Sequence, residues 1–553
     1  MRDGTVLASD LYRPSAPGRH PVLVMRNPYN RRVAQSYLYA HPSWYAAHGY
    51  AVVVQDTRGR WGSGGDFEPV VHEAFDGADT VEWAAGQPWS NGRVGMYGFS
   101  YPGMAQLLAA AEQPAGLRAI APALAPSELR EGFIYRGGAF ALGFALGWAI
   151  ELGADQARRK GPQLEAELLA AAADPRRHLD FRPLRELPLF ADNRICPFYF
   201  DWIDRECDPS YWATRQVADR YDRIRVPGLH VGGWYDVFVD GTLKNWASLQ
   251  GQVGAPQRLV VGPWHHIPTL TGTAPIGFGA ASGMDFDAEQ LGWFDLWLRD
   301  HDNGLLDLPP VRAFLTGANH WIQLPSWPPP ATIVPFFLHS RGRANAAGGD
   351  GTLSRSEPGP EPPDVFLHDP AHPVPSAGGH SCCWPDVAPM GPADQGAVEA
   401  LRGVLVYTSP PLAEDLVVAG PVTAELHAVT DAVDTDWVVK LCDVDRQGRS
   451  VNLQEGIARA RFRRSLDHPV LVTPGQADAY QVDVGSVFHA FRSGHRIRVQ
   501  VTSSSYPTWE PNPNTGHPLG VDTISDRVIA TQHVLHAPGV TSCIRLPVLA
   551  RVP

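Results

Sequence analysis

Between Pro21 and Ala125 the chain passes through four short stretches that are apolar almost throughout: PVLVM (21–25), YAVVVQ (50–55), GRVGMYG (92–98) and LRAIAPALA (117–125). Each is set off by loop or helix signals, among them AFDGADTVEWAAG, an acid-rich helix start, and YPGMAQLLAAAEQ, a second helix. A strand apolar along its whole length has no face for water. Such strands, separated by helices, form a parallel sheet covered on both sides. This restricts the first part of the chain to the α/β class.

The pattern changes downstream. Residues 127–217 hold the Ala- and Leu-rich runs FIYRGGAFALGFALGW and QLEAELLAAAADPRRH, read as helices with no convincing strand between them, and this segment is expected to be a helical insertion. Strands return in RVPGLHVGGWYD and QRLVVGPWHH, and FDAEQLGWFDLWLRD (286–300) has helical apolar spacing. Beyond a Gly/Pro/Ser-rich stretch near 340–363 come short alternating strands, including DWVVKLCDV and HRIRVQVTSSS, the pattern of a β-sandwich or jelly roll. The expected division is an α/β core in two parts (1–126 and 218–320), a helical cap (127–217) and an all-β unit (321–553).

Composition excludes several functions. The net charge of −12, with no basic arm, argues against nucleic acid and anionic membranes as partners. The longest apolar run, Ala139–Ile150, is too short to span a bilayer, and the first residues lack a secretory-signal pattern. Six cysteines in 553 residues fit no zinc spacing. Cys382 and Cys383 are neighbours that could pair only through a strained ring, so a reduced, cytoplasmic protein is expected. Nothing decides between a monomer and a homodimer.

Three strand ends carry chemistry. Gly98-Phe99-Ser100-Tyr101-Pro102-Gly103 joins a strand to a helix through a glycine-flanked serine, the pattern of a nucleophile elbow with its second glycine one place late. In GGWYDVFVDG (232–241), Asp236 and Asp240 are candidate acids. In VVGPWHH (260–266), His265 and His266 are candidate bases. Each alone could be an ordinary loop residue. Together they occur in the chain order Ser, Asp, His, which is the order of an α/β-hydrolase, and ligand clefts in open α/β sheets lie at this edge.

RNPYN, QDTRGRWGSGG, VGMYGFSYPGMAQ, GWYD, GPWHH, GPADQ and DTDWVVKL together resemble the CocE/NonD hydrolases, which span cocaine esterases, X-Pro dipeptidyl-peptidases, glutaryl-7-aminocephalosporanic acid acylases and α-amino acid ester hydrolases. The resemblance runs over almost the whole chain. It implies an α/β-hydrolase core, an inserted helical cap and a C-terminal jelly roll. It also implies Ser100 as nucleophile, Asp236 rather than Asp240 as acid, His266 rather than His265 as base, and an oxyanion hole of the Tyr29 hydroxyl and the Tyr101 N–H. The pocket it implies comprises Phe133, Trp148, Phe238, Cys382 and Cys383.

The resemblance implies a serine acyl hydrolase acting on a small ester or amide, with no metal or organic cofactor. Members that cleave benzoyl esters carry a tryptophan where Phe133 aligns and larger apolar groups in place of the cysteine pair, so that pocket is not reproduced. The uncharged Val237 and Phe238 argue against an amino-ester substrate. X-Pro peptidase, acylase or acyltransferase activity, or a non-catalytic carbohydrate binder, are the alternatives.

Overall fold

The computed structural model describes residues 1–33, 36–191, 195–250, 255–268, 276–385 and 387–551. The apolar stretches form the centre of a nine-stranded sheet: β1 (Ser9–Tyr12), β2 (His20–Asn27), β3 (Ala51–Asp56), β4 (Ser90–Phe99), β5 (Leu117–Ala123), β6 (Gly228–Tyr235), β7 (Gln257–His265), β8 (Val311–Leu315) and β9 (His320–Leu324). Their spatial order is β1-β3-β2-β4-β5-β6-β7-β8-β9. Pairing is parallel from β3 through β8, and only the edge strands β1 and β9 run antiparallel.

Both faces are covered, as continuous apolarity requires. Val22, Val24 and Val53 point to one face, where α1 (Glu73–Ala85) and α2 (Tyr101–Ala111) pack. Leu23, Met25, Val52 and Val54 point to the other face. There Trp293 and Phe294 of α6 (Phe286–Arg299) close over them. Between β5 and β6 lies the mostly helical segment containing α3 (Leu142–Lys160) and α4 (Pro162–Ala173), and α5 (Val239–Gln250) follows β6.

One helical expectation fails. FIYRGGAF is a hairpin of Tyr135–Arg136 against Ala139–Phe140, and α3 starts only at Leu142. Gly137 and Gly138 both have positive φ (53° and 80°), which reverses the chain where apolar spacing alone suggested a helix.

From Thr332 onward eleven strands pair into a second, β-rich network around a core that includes Trp437, Tyr407 and Val499. It joins the first sheet through backbone bonds, with Thr316 N–H to Phe488 O (3.0 Å) and Ala490 N–H to Thr316 O (2.9 Å). The chain is thus an α/β-hydrolase fold with a helical insertion and a C-terminal β-rich unit. No described helix is long and apolar enough to cross a membrane.

The turn from β4 into α2 is tight. Gly98 has φ 137°, and a Cβ there would stand 2.5 Å from Pro102 Cβ. Gly98→Ala is therefore expected to lower stability by about 1–3 kcal/mol, from a left-handed backbone and overpacking together. A urea midpoint unchanged from the parent would show that the elbow tolerates a side chain.

Candidate active site

Ser100 has φ 66° and ψ −130°, backbone that an L residue occupies only under constraint. Its N–H donates to Ala123 O of the neighbouring strand (2.9 Å), and its carbonyl accepts from Gly103 and Met104 (2.8 and 3.1 Å). The buried Gln106 completes the clamp: Nε2 donates to Gly98 O (3.0 Å) and Oε1 accepts from Ala121 N–H (2.9 Å). Under these constraints the serine side chain projects beyond the carboxyl ends of β4 and β5.

β6 and β7 end at the same edge. Their register sets Tyr235 against His265, so the next residue of each, Asp236 and His266, are neighbours. His266 Nδ1 lies 2.7 Å from Asp236 Oδ1, and Nε2 lies 2.9 Å from Ser100 Oγ. A carboxylate only accepts, so Nδ1 carries the proton and Nε2 presents its lone pair to the serine hydroxyl. Asp236 is wholly buried and His266 nearly so. Asp240 turns away into an ion pair with Arg136 (3.0 Å). Burial first, and His266 second, push His265 down to about 4, leaving it neutral.

Tyr29 sits in a loop held by its neighbours. Its N–H donates to Asn27 Oδ1 (3.0 Å), and the Pro28 carbonyl accepts from Arg60 Nε and Trp61 Nε1 (2.9 and 3.0 Å). The Tyr29 hydroxyl oxygen accepts from Trp148 Nε1 (3.0 Å). Its own hydrogen remains available, and burial raises its pKa well above the usual range, so the group stays a donor. The Tyr101 N–H opens α2 and is one of the donors a helix start cannot pair internally. The Tyr101 side chain points the other way. It donates to Glu73 (3.0 Å), which pairs with the buried Arg26 (2.5 Å).

Tyr29, Ser100 and His266 open into a cavity of about 450 Å³. Phe133, Trp148, Cys382 and Cys383 line it. Phe238 does not; it stands behind the wall, its ring tilted against Phe133 (4.6 Å) and edge-on to His266 (5.0 Å). The expectation of reduced cysteines also changes. Cys382 and Cys383 are joined as a vicinal disulfide in a loop where Cys383 has φ 76°, while the other four cysteines are free.

Sequence reasoning missed Phe144 and Glu151. Both share the α3 stripe of Trp148 at i−4 and i+3, so the helical period could have found them once Trp148 was placed in the pocket. Burial pushes the Glu151 carboxyl up to about 7, against the opposing pull of Arg60.

Residues 3–268 match the X-Pro dipeptidyl-peptidase family (S15), and residues 303–544 match the X-Pro dipeptidyl-peptidase C-terminal non-catalytic domain. The chain is 37% identical to a cocaine esterase from Rhodococcus sp. (strain MB1 Bresler), over 100% of this chain and 97% of that protein. Among solved structures it is similar to an α-amino acid ester hydrolase (25% identity, TM-score 0.80, 99% of this chain and 95% of that one). It is equally similar to an aminopeptidase from the marine sediment archaeon Thaumarchaeota archaeon (25%, TM-score 0.79, 100% and 95%).

Glu151 gives a pH signature. Its folded pKa of about 7 lies above the ordinary 4.5, so between those values the unfolded chain ionises while the folded one keeps its proton. Stability from this group falls as pH rises through that window, and the penalty is complete above it. Glu151→Gln is expected to raise the melting temperature more at pH 8 than at pH 5. Equal gains at both values would contradict the burial argument.

Proposed function

The chain belongs to the CocE/NonD family of serine hydrolases, and on that premise we propose that it cleaves small esters through an acyl-enzyme on Ser100. One observation carries the reading: a single imidazole bridges Asp236 and Ser100 at 2.7 and 2.9 Å. Nε2 takes the hydroxyl proton as Oγ attacks the carbonyl carbon, and Asp236 holds the ring in the required tautomer and stabilises the imidazolium. The Tyr29 hydroxyl and the Tyr101 N–H donate to the developing oxyanion. His266 then returns its proton to the leaving alcohol. Water, activated by the same nitrogen, releases the acid.

In this reading residues 1–126 and 218–320 supply the catalytic edge. Residues 127–217 supply the aromatic roof, and residues 321–553 a side wall at Cys382 and Cys383. A cavity of about 450 Å³ faced by Phe133, Phe144 and Trp148 suits an apolar acyl group on a drug-sized ester.

Ser100→Ala is expected to reduce turnover of a p-nitrophenyl ester by roughly a millionfold, and a fluorophosphonate probe should add its mass at Ser100 of the parent only. A folded parent that takes no label would sink the enzyme reading in favour of a binding protein. Tyr29→Phe should lower kcat by roughly a hundred- to a thousandfold with KM little changed. A loss under about tenfold would remove Tyr29 from the oxyanion hole.

A further inference from the structure

Cys382 and Cys383 enter no step of the hydrolysis, yet they stand beside its base. Among the described residues, they and His266 form the one group of three metal-ligating side chains whose ligand atoms all lie within 4.8 Å of one another. We propose that, once the Cys382–Cys383 disulfide is reduced, the two thiolates and His266 Nε2 form a site for a thiophilic divalent cation such as Zn²⁺ or Cd²⁺, whose binding stops hydrolysis.

The donor set, two soft sulfurs and one imidazole, selects this class of ion over Mg²⁺ or Ca²⁺. The two thiolates balance its charge. Zn–S and Zn–N bonds of roughly 2.3 and 2.0 Å hold tetrahedral ligands roughly 3.5–3.8 Å apart. The three ligand atoms lie within 4.8 Å of one another, and once the S–S bond is broken the two sulfurs separate to that spacing by rotation about their Cα–Cβ bonds. Nδ1 is committed to Asp236, so the metal takes the Nε2 lone pair. That is the lone pair which accepts the Ser100 proton, so a bound ion and a working base exclude one another. His266 and both cysteines line the cavity that Ser100 opens into, so reductant and ion arrive by the substrate's route.

The chemistry balances with a phosphine as reductant. The phosphine supplies the electron pair that breaks the S–S bond, water supplies its oxygen and two protons, and the products are two thiols and the phosphine oxide. Metal binding then forms two S–metal bonds and one N–metal bond, displaces the Ser100 hydroxyl from Nε2 and releases both thiol protons to solvent.

The inhibition rests on reading His266 as the base; the binding does not, and the experiment separates them. The full chain, reduced with a phosphine and freed of it, is titrated with Cd²⁺. An ultraviolet thiolate-to-cadmium charge-transfer band should grow to one ion per chain in the parent and equally in Ser100→Ala. It should be absent from the unreduced protein and from the Cys382→Ala/Cys383→Ala variant. Ester hydrolysis by the reduced parent should fall at Zn²⁺ concentrations roughly tenfold or more below those affecting the unreduced protein, and a chelator should restore it. For the double variant, each rate is divided by that variant's own metal-free rate. Reduction should no longer change its Zn²⁺ sensitivity, and Cys383→Ala alone should lose most of the effect. No band in the reduced parent, or a band that survives loss of both cysteines, overturns the site. A band with hydrolysis untouched overturns the inhibition and leaves the site standing.

Discussion

The active-site edge depends on one strained residue. Ser100 is held where its backbone costs about 1–3 kcal/mol relative to an ordinary turn, and the surrounding hydrogen bonds leave it no relaxed alternative. Ala123 O, the first turn of α2 and the bridging Gln106 each fix a different backbone group of the elbow. The strain has a return. It aims the hydroxyl off the sheet edge, and in the proposed mechanism the same turn supplies both the nucleophile and, at the first residue of α2, the Tyr101 N–H as oxyanion donor.

The rest of the molecule supports that point from three sides. Below α2, Tyr101, Glu73 and Arg26 form a buried charged network, and Arg58 reaches it through Asp76 (2.6 Å). From the insertion, Trp148 orients Tyr29, and Arg60 ties the Tyr29 loop to α3 through Leu152 O (2.5 Å). From the β-rich unit, His380 Nε2 donates to Trp234 O (2.8 Å), two residues before Asp236, and Gln454 Nε2 donates to the same carbonyl (3.3 Å). A C-terminal unit that holds the acid loop and furnishes cavity wall is part of the site's construction. The catalytic edge therefore draws on all three parts of the chain.

Much of this was legible in the residues. The apolar runs identified the central strands, because a strand buried on both faces admits no polar alternation. The glycine-flanked serine, GWYD and GPWHH identified three strand ends in the right order. Choosing Asp236 over Asp240 required family resemblance, since both follow the same strand within five residues. In space they part, one to His266 and one to Arg136. The hairpin at Tyr135–Phe140 was hidden because its apolar residues also satisfy a helical period. Gln106 and the position of Phe238 behind the wall were not visible, since each is defined by what another segment brings against it, and the raised pKa of Glu151 likewise depends on burial that its place on the helix does not encode.

The sequence by itself determined the fold class and the chemical inventory, because buried strands and tight turns impose local rules on which residues can occupy them. Tertiary structure alone decided the distances that make the inventory reactive, the shape of the cavity and the pairing of Cys382 with Cys383 beside His266. Hydrogen-bond reach, burial and a raised carboxyl pKa are properties of atoms from remote segments meeting in space, and no local pattern encodes such a meeting.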